Sequence, residues 1–125
     1  MREGLSTPDA PKAIGPYSQG VRAGQLIFVS GQGPIDPLTG ALIDGDIGTQ
    51  TRRVFENIGA ILQAGGASFE HVVRATVYLA DMNDFAAMNA VYAEYFSAPA
   101  PARTTIQAAR LPRDMRIEID VIAAV

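Results

Sequence analysis

The chain has 125 residues, of which 48% are hydrophobic and 18% are charged, and its formal net charge is −3. This composition describes a globular protein with its own core and excludes a disordered chain. The absence of cysteine excludes disulfides, thiolate metal sites and a cysteine nucleophile, and the acidic balance argues against a broad nucleic-acid-binding surface.

The first twelve residues are polar and lack the apolar stretch of a signal peptide. No later segment approaches the ~20 apolar residues that a membrane-spanning helix needs. We therefore expect a cytoplasmic protein that forms one domain over residues 1–125.

A hairpin is predicted next, from Tyr17–Ala23 and Leu26–Ser30, with its turn at Gly24. Leu26–Val29 is apolar without alternation, which is typical of a strand covered on both faces. Residues 31–45 contain several prolines and glycines, which predict a loop.

A long amphipathic helix is predicted from about Asp46 to Ala64, with Asp46 as its N-cap and Gly65-Gly66 at its end. Its buried face follows a helical period and comprises Ile47, Thr51, Val54, Phe55, Ile58, Ile61 and Leu62. Val72–Leu79 then predicts a strand that is apolar on both sides.

A second helix is predicted from about Asn83 to Phe96, because an apolar stripe ends at two prolines, Pro99 and Pro101. The stripe comprises Phe85, Met88, Tyr92, Tyr95 and Phe96. Two strands complete the chain, at about Arg103–Ala108 and Met115–Ala124, and we expect them to be neighbours in the sheet.

The predicted order is β-β-α-β-α-β-β, an α+β fold with two helices on one face of a mixed sheet. A sheet of five or six strands is roughly 25 Å wide, and two helices of ~10 Å diameter cover only one such face. The other face carries apolar residues of its own, so we expect a second copy of the chain to cover it. The sequence therefore predicts a homo-oligomer.

Two carboxylates share one side of the last strand. Glu118 and Asp120 alternate with apolar Ile117 and Ile119, so they point to the opposite face. A solvated face is the common explanation of such a pattern. The alternative is a pocket in which Glu118 acts as an acid or a base.

Arg103 and Asn89 are further candidates. Arg103 follows a rigid proline segment and is either a surface residue or a ligand for a planar anion, which guanidinium groups bind with two hydrogen bonds. Thr105 offers a backbone donor nearby. Asn89 lies on the apolar stripe of the second helix, so we expect a buried amide that holds a loop or contacts a ligand.

Other motifs argue against metal and cofactor sites. Gly31-Gln32-Gly33 is followed by Pro34 rather than a helix, which excludes a dinucleotide-binding loop. His71 is the only histidine and cannot form a metal site alone. We expect no metal and no cofactor.

Several short motifs occur in a characteristic order: Ala10-Pro11, Ile14–Gly20, Ser30–Gln32, Asn83–Phe85 with Asn89 and Tyr92, Pro101–Thr104, Ala109–Pro112 and Ile117–Ile119. In these motifs the chain resembles the RidA/YjgF family of reactive intermediate/imine deaminases over nearly its whole length. The resemblance implies a chorismate-mutase-like subunit, a homotrimer with a ligand cleft at each interface, and no cofactor. It also implies hydrolysis of 2-iminopropanoate and 2-iminobutanoate to 2-keto acids and ammonia.

The resemblance also implies roles for individual residues. The substrate carboxylate is expected on Arg103 and the Thr105 amide, with Glu118 handling the proton of the attacking water. The remaining pocket positions match Tyr17, Ser30, Gly31 and Asn89, with Tyr17 supplied across the interface. Two other functions compete with this one: binding of a small carboxylate such as a 2-keto acid without turnover, and action on RNA as an endoribonuclease or translation inhibitor.

Overall fold

Six strands form one mixed sheet in the computed structural model, which describes residues 1–125. In chain order the elements are β1 (Glu3–Leu5), β2 (Gly20–Ala23), β3 (Leu26–Gln32), α1 (Ile47–Ala64), β4 (Val72–Leu79), α2 (Phe85–Tyr95), β5 (Ala102–Gln107) and β6 (Ile117–Ala124). Across the sheet the order is β1-β2-β3-β6-β4-β5, and only β4 and β5 pair in parallel. The predicted α+β class, with both helices on one face of a mixed sheet, is confirmed.

Two details of the predicted topology are wrong. The order begins with three strands, because the short segment Glu3–Leu5 pairs with β2 although it has no hydrophobic alternation of its own. The strand that carries Arg103 is not next to the strand that carries Glu118, because β4 lies between β5 and β6. The helix α2 connects β4 to β5, so that β5 runs parallel to β4 and forms the edge of the sheet.

The ends of α1 are formed as predicted. The carboxylate of Asp46 accepts a hydrogen bond of 2.8 Å from the Thr49 amide, and Gly66 adopts a left-handed φ of 79° after the last turn. The predicted stripe of α1 is buried against the sheet. Neither helix is both long and apolar enough to cross a membrane.

The core lies between the helices and one face of the sheet. Along β6, Ile117, Ile119, Val121 and Ala123 are at most 1% exposed and face the helices. The opposite side, here called the open face, has no layer over it in the single chain: Leu26, Phe28 and Ile106 are 40%, 38% and 43% exposed.

The open face is apolar on β3, as the sequence predicts, but not on β4. There Arg74, Thr76 and Tyr78 alternate with the buried residues, so the expectation of an apolar strand on both sides is wrong for β4. The homo-oligomer remains a prediction.

Candidate functional site

Arg103 is held in place by neutral groups. It lies on β5 beside buried Ala75, on the helix side of the sheet, and its Nη1 donates a hydrogen bond of 2.7 Å to Oδ1 of Asn89. Its guanidinium carbon lies 4.6 Å from the centre of the Tyr92 ring, which favours the cation. The salt bridges of the chain involve other arginines, so no carboxylate neutralises Arg103. An oriented guanidinium without a counter-charge can bind an external anion.

A backbone donor lies close to Arg103. The Ala108 amide donates to the Leu79 carbonyl of β4 at 2.8 Å. Amides along a strand point alternately to one side and the other, so every second residue counted back from Ala108 also points its amide to β4. Thr105 is three residues before Ala108, so its amide points the other way, to the free edge of the sheet. The Thr105 hydroxyl is buried without a hydrogen-bond partner. The Arg103 guanidinium and the Thr105 amide are hydrogen-bond donors that one carboxylate can bind at the same time.

Asn89 is half-buried, so the prediction of a fully buried amide is wrong. Its side chain holds Arg103 rather than a loop. Tyr92 and Phe85 of the same helix face the guanidinium as well, at 4.6 and 5.6 Å from ring centre to guanidinium carbon. The sequence placed these rings only on the apolar stripe, because an aromatic residue at helical spacing usually belongs to the core.

Glu118 lies on the open face, close to the backbone of Gly31. A Cβ atom at Gly31 would overlap the Glu118 carboxylate, so any side chain at this position would displace the carboxylate from its place. Burial raises the pKa of Glu118, and the negative charge of Asp120 raises it further. The carboxyl can therefore exchange a proton closer to neutral pH than an exposed glutamate.

A cavity of about 510 Å³ opens beside Glu118, and Gly31 and Tyr17 also line it. Ser30 does not line this cavity, and its hydroxyl donates a hydrogen bond of 2.6 Å to the Ser18 carbonyl. The wall includes further residues that the sequence did not indicate, among them Lys12, Ile35, Arg113 and Met115. Lys12, Ile35 and Arg113 lie in loops without a periodic pattern, and Met115, predicted to begin the last strand, lies just before it in the structure.

The candidate residues form two separate groups. Arg103, Asn89 and Thr105 lie at the β5 edge on the helix side, whereas Glu118 lies on the open face of β6 with Gly31 beside it. The expectation that Arg103 and Glu118 come from adjacent strands is therefore wrong, and within one chain they face opposite sides of the sheet. A site containing both groups needs two copies of the chain.

Two buried amides hold the walls of the cavity. The Asn57 side chain, 0% exposed, donates hydrogen bonds to the Gly33 carbonyl at 3.3 Å and the Ile35 carbonyl at 2.9 Å. The Gln19 side chain, 6% exposed, donates to the Ala10 and Pro11 carbonyls and accepts from the Thr7 amide. Neither amide stands out in the sequence, because an isolated amide is usually a surface residue.

Comparisons with known proteins support one family. A family model described as Endoribonuclease L-PSP matches residues 7–125. A RutC family protein of Pyrococcus horikoshii is 57% identical over 123 residues, which are 98% of each chain. A Mus musculus 2-iminobutanoate/2-iminopropanoate deaminase is 46% identical over 98% of this chain and 91% of that one. The crystal structure of E. coli TdcF with bound serine superposes with a TM-score of 0.93, at 44% identity over 98% of each chain.

The amide of Asn57 gives a prediction about the cavity wall. Asn57→Ala leaves two carbonyls without their donor, so we expect the free energy of unfolding to fall by about 2–3 kcal/mol. Hydrogen exchange should also accelerate in the loop around Ile35. Urea titration and hydrogen-exchange mass spectrometry measure both effects, with Gln63→Ala, an exposed change on the same helix, as the control. A variant with wild-type stability and exchange would contradict this role.

Proposed function

Since the chain belongs to the RidA/YjgF family, the family described as Endoribonuclease L-PSP, we propose that it is an imine deaminase. The proposed reaction is hydrolysis of 2-iminopropanoate and 2-iminobutanoate to 2-keto acids and ammonia. Mammalian relatives of 46–48% identity carry that name. The observation that supports it most strongly is Arg103, a guanidinium fixed by Asn89 and left without a counter-charge.

Binding starts from the carboxylate of the substrate. Arg103 would donate two hydrogen bonds to this planar anion, and the free amide of Thr105 would donate a third. These contacts fix the orientation of the adjacent C2 atom, the electrophilic carbon of the C=N bond. Holding a reactant in a productive orientation is worth several kcal/mol, because it removes rotational freedom before the reaction.

The hydrolysis itself needs one group that exchanges protons. Water attacks C2 of the protonated imine while Glu118 takes a proton from the water, which gives a tetrahedral intermediate with a hydroxyl and an amino group on C2. Glu118 then returns this proton to the nitrogen, the C–N bond breaks and ammonia leaves, and the proton of the hydroxyl passes to the Glu118 carboxylate as the ketone forms. Such acid–base help contributes about 10²–10⁴-fold.

A site built from two copies of the chain is part of the proposal. Tyr17, Gly31 and Glu118 would come from one subunit, and Asn89, Arg103 and Thr105 from its neighbour. The exposed apolar residues of the open face support such an assembly, because association removes Leu26, Phe28 and Ile106 from water. We propose a homotrimer, the assembly that gives one such site at each of its interfaces.

The name of the family model favours a second candidate function, cleavage of RNA. RNA-binding surfaces combine basic grooves with aromatic side chains on which bases stack. The chain has a net charge of −3, and of the two rings near Arg103, Tyr92 packs within a cluster in the core and only Phe85 is exposed. The imine reaction is therefore the better supported function. Carboxylate binding without turnover remains the third alternative.

The reaction can be tested with a coupled assay. A pyridoxal-phosphate dehydratase releases the imine from threonine or serine, and the added protein should accelerate the appearance of the keto acid. Arg103→Lys should lose activity by roughly 100-fold, because an ammonium cannot reproduce the two-point geometry of the guanidinium. Arg110→Lys, at an exposed salt bridge, is the matched control. An unaccelerated reaction with the wild-type protein would refute the deaminase proposal.

The acid–base role of Glu118 predicts a pH dependence. Because burial raises its pKa, the fall of kcat/KM at low pH should have its midpoint above 4.5, where the base becomes protonated. Glu118→Gln should lose 10²–10⁴-fold in kcat, roughly the contribution of a positioned acid or base, while still binding a 2-keto acid. The pH–rate profile and calorimetric binding measure these effects. An active Glu118→Gln protein would remove Glu118 from the mechanism.

A further inference from the structure

Glu118 has a second carboxylate beside it that the proposed reaction does not use. Asp120 lies two residues further along β6, so both side chains leave the strand on the open face. Residues at this spacing are about 7 Å apart along a strand. Both carboxylates are half-buried, so charge on one acts on the other through a medium less polar than water.

The neighbouring strand β4 favours the charged form of Asp120. Thr76 lies opposite Asp120 in the register of the sheet, and Tyr78 follows two residues later on the same face. Burial raises the pKa of Asp120 overall, and the hydroxyls of Tyr78 and Thr76 and the positive charge of Arg74 offset part of this rise. Asp120 therefore has partners that stabilise its negative charge.

Within one chain, Glu118 has no comparable partners. Tyr78 lies opposite Glu118 in the register, but its hydroxyl lowers the pKa of Asp120 and does not lower that of Glu118. The charged and titratable groups of the surrounding loops are Lys12, Tyr17 and Arg113, which line the same cavity. None of them offsets the two causes that raise the pKa of Glu118, burial and the charge of Asp120.

We infer that Asp120 is a positioning residue for Glu118: its negative charge, stabilised by β4 on the open face, favours the protonated form of Glu118. The catalytic part of this inference rests on the proposed imine hydrolysis. In that reaction Glu118 first accepts a proton from water and then donates it to the departing nitrogen. A neighbouring anion strengthens the first transfer, because it makes the ionised carboxylate of Glu118 a stronger base. Paired carboxyl groups in different environments are a known way of separating such roles.

The coupling can be measured without any turnover, by NMR titration of the Glu118 side-chain carboxyl in the full-length protein. In Asp120→Asn the midpoint of this titration should fall by about one pH unit, the effect of a unit charge about 7 Å away in a partly polar medium. Asp44→Asn removes the same charge from an exposed loop and should leave the midpoint unchanged. Asp120→Glu keeps the charge and should keep most of the wild-type value.

The low-pH limb of kcat/KM should move in Asp120→Asn by the same amount toward lower pH. Asp120→Ser is a second uncharged variant that gives the same shift if the asparagine variant does not fold. An unchanged Glu118 midpoint in either folded variant would overturn the inference, and so would an equal shift in Asp120→Glu. A shifted midpoint in a protein that hydrolyses no imine would instead refute the proposed function and leave the coupling intact.

Discussion

The alternation of side chains along a strand is the constraint on which the candidate site depends. Successive residues of a strand point to opposite faces, so each functional side chain is committed to one side of the sheet. Arg103 shares its side with the helices, and Glu118 shares its side with the uncovered residues of the open face. No rotamer change brings these two groups together within one chain, because the sheet itself separates them. A second copy of the chain is the physical solution that the proposed chemistry requires.

The rest of the fold keeps each half of the site rigid. The aromatic and amide groups of α2 hold the Arg103 guanidinium from one side, and the buried amide of Asn57 holds the cavity wall beside Glu118. Gly31 makes no such contact; because it has no side chain, it leaves the space that the Glu118 carboxylate occupies. Preorganised groups of this kind need little rearrangement when a ligand binds, which favours both affinity and rate.

Much of the fold follows from local sequence patterns. The boundaries of α1 and β4 were predictable because capping residues, glycines and a clear period mark them. The strand Glu3–Leu5 was not, since three residues without alternation carry no signal and depend on pairing with β2. The place of β5 at the sheet edge was also missed, because neighbours in sequence are not always neighbours in a sheet. Among the candidate site residues, motifs predicted Arg103 and Glu118, whereas the supporting roles of Asn57 and Gln19 became visible only through their contacts.

The most direct test of a site shared between subunits is complementation between two inactive variants. Arg103→Ala and Glu118→Gln chains should each be inactive alone, and they are unfolded together and refolded as an equal mixture. If one chain supplies the arginine and its neighbour the glutamate, random assembly restores about a quarter of the sites, and imine hydrolysis returns to roughly that fraction of wild type. If the mixture stays as inactive as its components while mixed oligomers form, the two groups do not act across an interface, and the proposed site is wrong.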